Sequence, residues 1–346
     1  MQRFIVGTGR CGSTMLSRML QEHPDTLSIL EFFSTLDRAS VFQPGEFDGP
    51  EVCAILARTN LLNDLVVSRE PFFQEGVAHS YRREASGAGY RLPGFMLVLH
   101  QLSPEPAPLY VEAMAEVGAW PRRPLAEHWL ALFDWMTLRL GKRGWLERSG
   151  VSIEYVGELI DRYPDAKYVH IHRDGVEAAL SSRGFRHFVL YCSLFSDPPG
   201  EAELREMLAE EIDPATDPVV RRMTNQQPPI EAYGRYWSWQ IARGYHELVR
   251  LAPEQRLDVR YEDLVSEPAV TLERIADFFE LPRRDGWIAR AAGMVDPEGA
   301  APRQDALHAD ELARLRIACR PGETLLGRDL TNGFADTMHG LRRVVG

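Results

Sequence analysis

The chain has 346 residues, a formal net charge of −11, 45% hydrophobic and 26% charged residues. That is the balance of a globular protein long enough to bury a sizeable core. The acidic total disfavours non-specific binding to nucleic acid or an anionic membrane, and no apolar stretch approaches the ~20 residues that span a bilayer.

Met1 to Gly7 enters an apolar run at once, with no separate apolar region before a cleavage site, so no secretory signal is read and a cytoplasmic protein is expected. Cys11, Cys53, Cys192 and Cys319 stand at no metal-ligand spacing and make no disulfide scaffold, so they are expected as reduced thiols. Phe4-Ile5-Val6 predicts a buried strand. Gly12 to Leu20 carries apolar residues at helical spacing and ends at His23-Pro24. Leu27 to Leu30 predicts a second strand leading to Glu31.

A middle region over about 35–142 shows helical patterns such as Trp129 to Met136, turn-rich breaks such as Ser103 to Pro108, and no clear series of strands. It is expected to be a helical insertion shaping an acceptor pocket. Its Phe72, Phe73, Tyr90, Phe95, Trp129, Phe133 and Trp135 slightly favour a hydrophobic or aromatic ligand, although core packing explains them equally well. Order resumes at Gly144 to Ser149, followed by a helix over about 153–162 and a strand at Lys167 to His172. Arg173 and Asp174 stand at the end of that strand, and Val176 to Leu180 is helical. A Pro-broken stretch over about 186–229 is a candidate lid. A Trp- and Tyr-rich helix from Tyr233 to Val249, a strand at Arg256 to Tyr261 and a helix from Leu264 to Phe279 complete the pattern. The alternation predicts a single α/β domain over 1–346, with a parallel sheet flanked by helices on both faces. Its core spans about 1–34 and 143–285.

The sharpest feature is the loop Gly7-Thr8-Gly9-Arg10-Cys11-Gly12-Ser13-Thr14 between the first strand and helix. Glycines permit a tight turn and close approach of a ligand to the backbone. The N–H groups of a helix start favour an anion, and Ser13, Thr14 and the forked cation of Arg10 add donors. The loop is not a Walker A motif, because Ser13 stands at the lysine position, and no later strand supplies a magnesium-binding acid convincingly. A purely structural strand–helix turn is the weaker alternative. Cys11 reads as a small filler more readily than as a thiol activated by the helix start. Arg173 at the C-terminal end of a parallel strand stands where open α/β sheets bind ligands. Ser181 lies eight positions on, about two helical turns away, and reaches the same anion only if the chain bends back. Read alone, Arg173 is equally a salt-bridge partner of Asp174 or Glu177.

Together these segments resemble PAPS-dependent sulfotransferases (PAPS is 3′-phosphoadenosine-5′-phosphosulfate). Gly7 to Thr14 resembles their 5′-phosphosulfate loop, and Arg173 through Ser181 their 3′-phosphate motif. Arg260-Tyr261-Glu262-Asp263-Leu264 with Glu267-Pro268, and Trp145-Leu146-Glu147-Arg148-Ser149, resemble two further segments of the superfamily. The resemblance is closest to the bacterial branch that includes tailoring enzymes for lipids, sugars and polyketides. It implies a P-loop-like α/β fold, PAPS as donor, its bisphosphate PAP as product, a small-molecule hydroxyl acceptor and no required metal. By it, Arg10, Ser13 and Thr14, on a loop with Gly9, Cys11 and Gly12, hold the phosphosulfate, while Arg173 and Ser181 hold the 3′-phosphate. Two departures stand out. Met15 occupies a position where many members carry an aromatic residue, and the C-terminal Arg-Lys-Gly segment of the classical cytosolic enzymes is absent, leaving Arg303 or Arg328 to replace it.

In-line transfer needs a base, with Glu31, His100, Glu147, His170 and His172 as candidates. Glu31, directly after the second strand, is favoured because related branches use an acid there; a helix-start carboxylate is its alternative. Arg148 resembles a residue near the bridging oxygen of related enzymes, with an ion pair to Glu147 or Glu31 as its alternative. The competing functions are a P-loop-type kinase and a non-catalytic nucleotide-binding module; self-association is left open. The electrostatic expectation is two positive pockets, one at each edge-loop of the sheet, gripping the two ends of one nucleotide.

Overall fold

The computed structural model describes residues 1–36, 38–59, 93–197, 200–202, 218–225, 227–296 and 303–328. Five short strands form one parallel sheet: β1 (Arg3–Val6), β2 (Thr26–Leu30), β5 (Gly144–Arg148), β6 (Lys167–His172) and β7 (Arg256–Arg260), in the order β2-β5-β1-β6-β7. Two-residue segments β3 (Glu46–Phe47) and β4 (Arg123–Pro124) pair antiparallel as a separate ribbon within the insertion.

Successive strand side chains point to opposite faces, and the two faces have separate cores. Phe4, Leu27, Ile29, Trp145 and Tyr168 pack with Phe95, Trp129 and Phe133 of the insertion. Phe4 stacks on Tyr168 at 5.5 Å and meets Trp145 edge-on at 5.9 Å. On the other face Ile5, Leu146, Val169 and Ile171 pack with helix α1 (Ser13–Gln21) and with the helices Pro268–Phe278 and Trp287–Ala292. Burial of each such side chain contributes about 1.5–3 kcal/mol. Helices therefore cover both faces.

Most expected elements are present, with five differences. Gly144–Arg148, given no element type from its sequence, is an interior strand between β2 and β1; its alternating Trp145 and Glu147 against Leu146 and Arg148 is a half-apolar period-2 pattern. The helix expected over 264–279 is two, Tyr261–Ser266 and Pro268–Phe278, because Pro268 can start a helix but not continue one. Helix Ala309–Leu325, unforeseen, packs on helix Ile230–Leu248, where Gly234 lies against Leu315 and Gly322 against Trp237. In the candidate lid, Arg186–Ser196 is a helix α4, after α2 (Phe32–Thr35) and α3 (Gly175–Ser182). Phe95, Trp129 and Phe133 are fully buried core residues and do not line an open pocket. Phe72, Phe73 and Tyr90 lie outside the described residues. Among the described residues no helix is long and apolar enough to cross a membrane.

Candidate active site

The chain leaves β1 towards β2 on one side and later reaches β6 on the other, so β1 lies at the switch point where the order reverses. The loop after β1 and the segment after β6 are consequently neighbours in the middle of the sheet.

Arg10 and Gly12 hold left-handed backbone, with φ 62° and 93°. At Gly12 only hydrogen fits: a Cβ would fall 2.2 Å from Tyr261 Cδ2. Gly9 is similarly covered, since a Cβ there would meet Phe188 Cζ at 1.9 Å. The loop is thus closed between Tyr261 on one side and α4 on the other. Cys11 is fully buried, and burial, the main cause, pushes its thiol pKa up, against smaller opposing effects of Ser13 and Arg148. A fully buried thiol held above its usual range agrees with a packing role.

Arg10 projects towards α3. Its Nε donates to Ser181 Oγ at 3.1 Å, and its guanidinium lies 3.8 Å from the Phe185 ring centre. Arg173 is buried, stacks 4.4 Å from the Tyr261 ring centre, and pairs with Glu177 at 3.4 Å. Ser181 therefore meets Arg10 rather than Arg173; two turns of α3 separate it from Arg173, as its spacing requires. Three backbone donors at the start of α3 are taken by carboxylates: Asp174 N–H by Glu262, Gly175 N–H by Glu323, and Glu177 N–H by Asp174.

The two C-terminal arginines differ. Arg303 approaches Glu177 at 3.8 Å, and its N–H and that of Gln304 donate to Glu177 Oε1 at 2.8 and 3.1 Å, so Glu177 bridges Arg303 and Arg173. Arg328 is engaged by Glu262 at 2.6 Å, Glu323 at 3.3 Å and His172 Nδ1 at 2.8 Å. Burial, with His170 and then Arg328 adding to it, pushes His172 down to about 3, so this ring accepts as neutral imidazole. Fully buried His170 bonds Asp258 at 2.8 Å. Both are structural histidines, and His100 lies on the insertion helix Gly94–Leu102.

Across the loop, Arg148, 1% exposed, spans two elements. One amino group donates to Thr14 Oγ1 at 2.6 Å and the other to Glu31 Oε1. Glu31 Oε2 accepts from Gly150 N–H at 2.7 Å and from Ser34 Oγ. Glu31 stands before α2 with φ 62°, and its side chain makes no capping bond to that helix. The carboxylate is instead turned to Arg148, while its side chain keeps 21% exposure. Thr8 Oγ1 and Arg148 Nε are buried at the loop without a hydrogen-bond partner, polar capacity suited to an anionic ligand. Among the described residues no cluster of three or more His, Cys, Asp or Glu side chains is arranged to hold a metal ion.

Sequence reasoning missed Phe185, Phe188 and Tyr261 as loop neighbours. Phe188, Val189 and Cys192, spaced as one buried helix face, were the available signal for α4. Tyr261 had none beyond its motif, because its contact with Gly12 exists only in three dimensions.

The model of the sulfotransferase family matches residues 3–209 and 213–285. Similar solved structures include the sulfotransferase domain from the curacin biosynthetic pathway, 12% identical with a TM-score of 0.47, covering 99% of this chain and 97% of that one. Sulfotransferase STF1 from Mycobacterium tuberculosis H37Rv is 15% identical, TM-score 0.43, covering 92% and 76%. A sulfotransferase from Alicyclobacillus acidocaldarius is 18% identical, TM-score 0.41, covering 96% and 98%. No curated protein matches the chain.

Proposed function

The chain belongs to the sulfotransferase family, and from that premise we propose that it moves the sulfuryl group of PAPS onto a hydroxyl of a small organic acceptor by in-line displacement. Bound PAPS supplies the group to be transferred; the chain's residues bind, orient and take the proton. Arg10, Ser13, Thr14 and the backbone of Gly9, Cys11 and Gly12 hold the phosphosulfate, using a forked cation and helix-start N–H groups. Arg173 holds the 3′-phosphate, while Ser181, two turns further along α3, holds Arg10; Arg303, rather than Arg328, completes the 3′-phosphate site, because it shares Glu177 with Arg173 whereas Arg328 is engaged by Glu262 and Glu323. Arg148 steadies charge developing on the leaving group, and Glu31 takes the acceptor proton.

One observation carries the reading: the Arg10–Ser181 hydrogen bond of 3.1 Å sets the loop after β1 beside the helix that follows Arg173, which supports one nucleotide engaging both. The test is thermal stabilisation by PAP compared with AMP and ATP, since a ligand binding only the native state raises its Tm. PAP is expected to raise Tm clearly more than either; an equal response to AMP removes the 3′-phosphate site.

A further inference from the structure

On the face of β5 opposite Arg148, Glu147 carries a carboxyl group that is 1% exposed and that the transfer scheme does not use. The Ser149 hydroxyl donates to Glu147 Oε1, and Ser149 Oγ in turn accepts the Phe33 N–H at 2.9 Å. A hydroxyl has a single proton. Committing it to Glu147 leaves the Ser149 lone pairs for Phe33. Phe33 lies two residues beyond Glu31, on the turn that gives Glu31 its left-handed φ of 62°. The same turn is tied to the end of β5 by Glu31 N–H to the Arg148 carbonyl at 2.8 Å and by Gly150 N–H to Glu31 Oε2 at 2.7 Å.

We propose that Glu147 is a positioning residue: through Ser149 it holds the Glu31 turn in register with the end of β5, so that the Glu31 carboxylate stays against Arg148 and open to the acceptor. The proposal rests on the reading of Glu31 as base. The charged and titratable groups facing Glu147 are Arg148 on its own strand, Glu31 on the adjoining turn, and Tyr155 and Tyr163 from the segment after β5. Tyr155 Oη is buried there without a hydrogen-bond partner. Burial is the main cause that pushes the Glu147 carboxyl up to about 8; the Ser149 bond opposes it, the negative charge of Glu31 adds to it and Arg148 opposes it. Glu147 is therefore neutral at neutral pH. Its ionisation in alkali sets a second negative charge beside Glu31 at a site water does not reach.

The experiment follows PAP release from PAPS with 2-naphthol as acceptor, or with water when none is added, across pH, together with PAP binding by thermal shift. Glu147→Gln keeps a carbonyl oxygen for Ser149 and cannot ionise. It is expected to hold kcat within about threefold and to lose the alkaline fall in rate. Glu147→Ala is expected to lower kcat on the order of 10- to 100-fold with PAP binding unchanged. Wild-type kcat in Glu147→Ala, PAP binding lost in step with kcat, or an unaltered alkaline limb in Glu147→Gln overturns the proposal. If Glu147→Ala does not fold, the Glu147→Gln pH profile decides alone. Glu31→Gln is the separate control: full activity in that variant defeats Glu31 as base, whatever the Glu147 variants do.

Discussion

Arg10 and Ser181, 171 positions apart, are joined by one hydrogen bond of 3.1 Å. The bond exists because β1 and β6 are adjacent parallel strands, paired from Arg3 with Lys167 to Val6 with His170, so both following segments emerge at the same edge. Phe185 packs on the other side of the Arg10 guanidinium at 3.8 Å from its centre, which orients the fork before any ligand arrives. Preorganised donors of this kind lower the cost of binding and act where charge develops.

Replacing that fork tests its role directly. Arg10→Ala is expected to leave the fold intact, because Arg10 is only partly buried and stands in a loop. Arg10→Gly would in addition relieve the strain of the left-handed backbone at that position. The KM for PAPS is expected to rise on the order of 10- to 100-fold, in line with loss of a charge-assisted contact. Circular dichroism and steady-state kinetics on one preparation check both halves; a folded variant with unchanged kinetics defeats the assignment.

Arg173 differs, being buried and paired with an equally buried carboxylate. Arg173→Ala leaves Glu177 without that cation and is expected to destabilise the protein by about 3 kcal/mol, the usual result of breaking a buried pair. The double variant Arg173→Ala with Glu177→Gln is expected to recover part of that loss while still failing to distinguish PAP from AMP. Urea unfolding and nucleotide titrations separate the two effects. Preserved discrimination in the double variant places the 3′-phosphate elsewhere.

Much of this was legible in the sequence, for physical reasons. β1, β2 and β6 are short runs rich in apolar or β-branched residues, β7 alternates Leu257 and Val259 with charged residues, and the loop after β1 shows the glycines of a tight turn that a ligand can approach closely. Glu31 and Arg148 were each recognisable as candidates, and their ion pair was among the alternatives. What was not legible depended on strand order: local pattern does not say that β5 inserts between β1 and β2, which brings Arg148 to Thr14 and Glu31. Ser181 could share an anion with Arg173 only if the chain bent back between them; α3 instead runs unbroken from Gly175 to Ser182, and Ser181 bonds Arg10. The insertion aromatics Phe95, Trp129 and Phe133 went to the core, because a helical layer over the sheet must fill its own interior before it can line a pocket.

Cys11 supplies a test by chemistry. Its thiol is fully buried and its pKa raised, mainly by desolvation, so little thiolate forms at neutral pH. Iodoacetamide is expected to leave Cys11 unlabelled in the native protein and to modify it fully after denaturation, as read by peptide mass spectrometry. Rapid native labelling shows an exposed loop and overturns the filler role.

Gly12 gives the sharpest steric prediction. Its φ of 93° disfavours any L side chain, and a Cβ would meet the Tyr261 ring at 2.2 Å. That ring is not free to retreat, since Arg173 stacks on its face at 4.4 Å. Gly12→Ala must therefore strain the loop, push Tyr261 off Arg173, or both, and a strained backbone site alone costs about 1–3 kcal/mol. The expected result is a lowered Tm together with weaker PAP binding. If the strain is the whole effect, the Tm falls and PAP affinity survives. If displacement of Tyr261 also contributes, Tyr261→Ala combined with Gly12→Ala recovers Tm relative to Gly12→Ala alone, because the obstructing ring is gone. A Gly12→Ala protein with wild-type Tm and wild-type affinity would show that this loop does not hold the left-handed turn on which its ligand site depends.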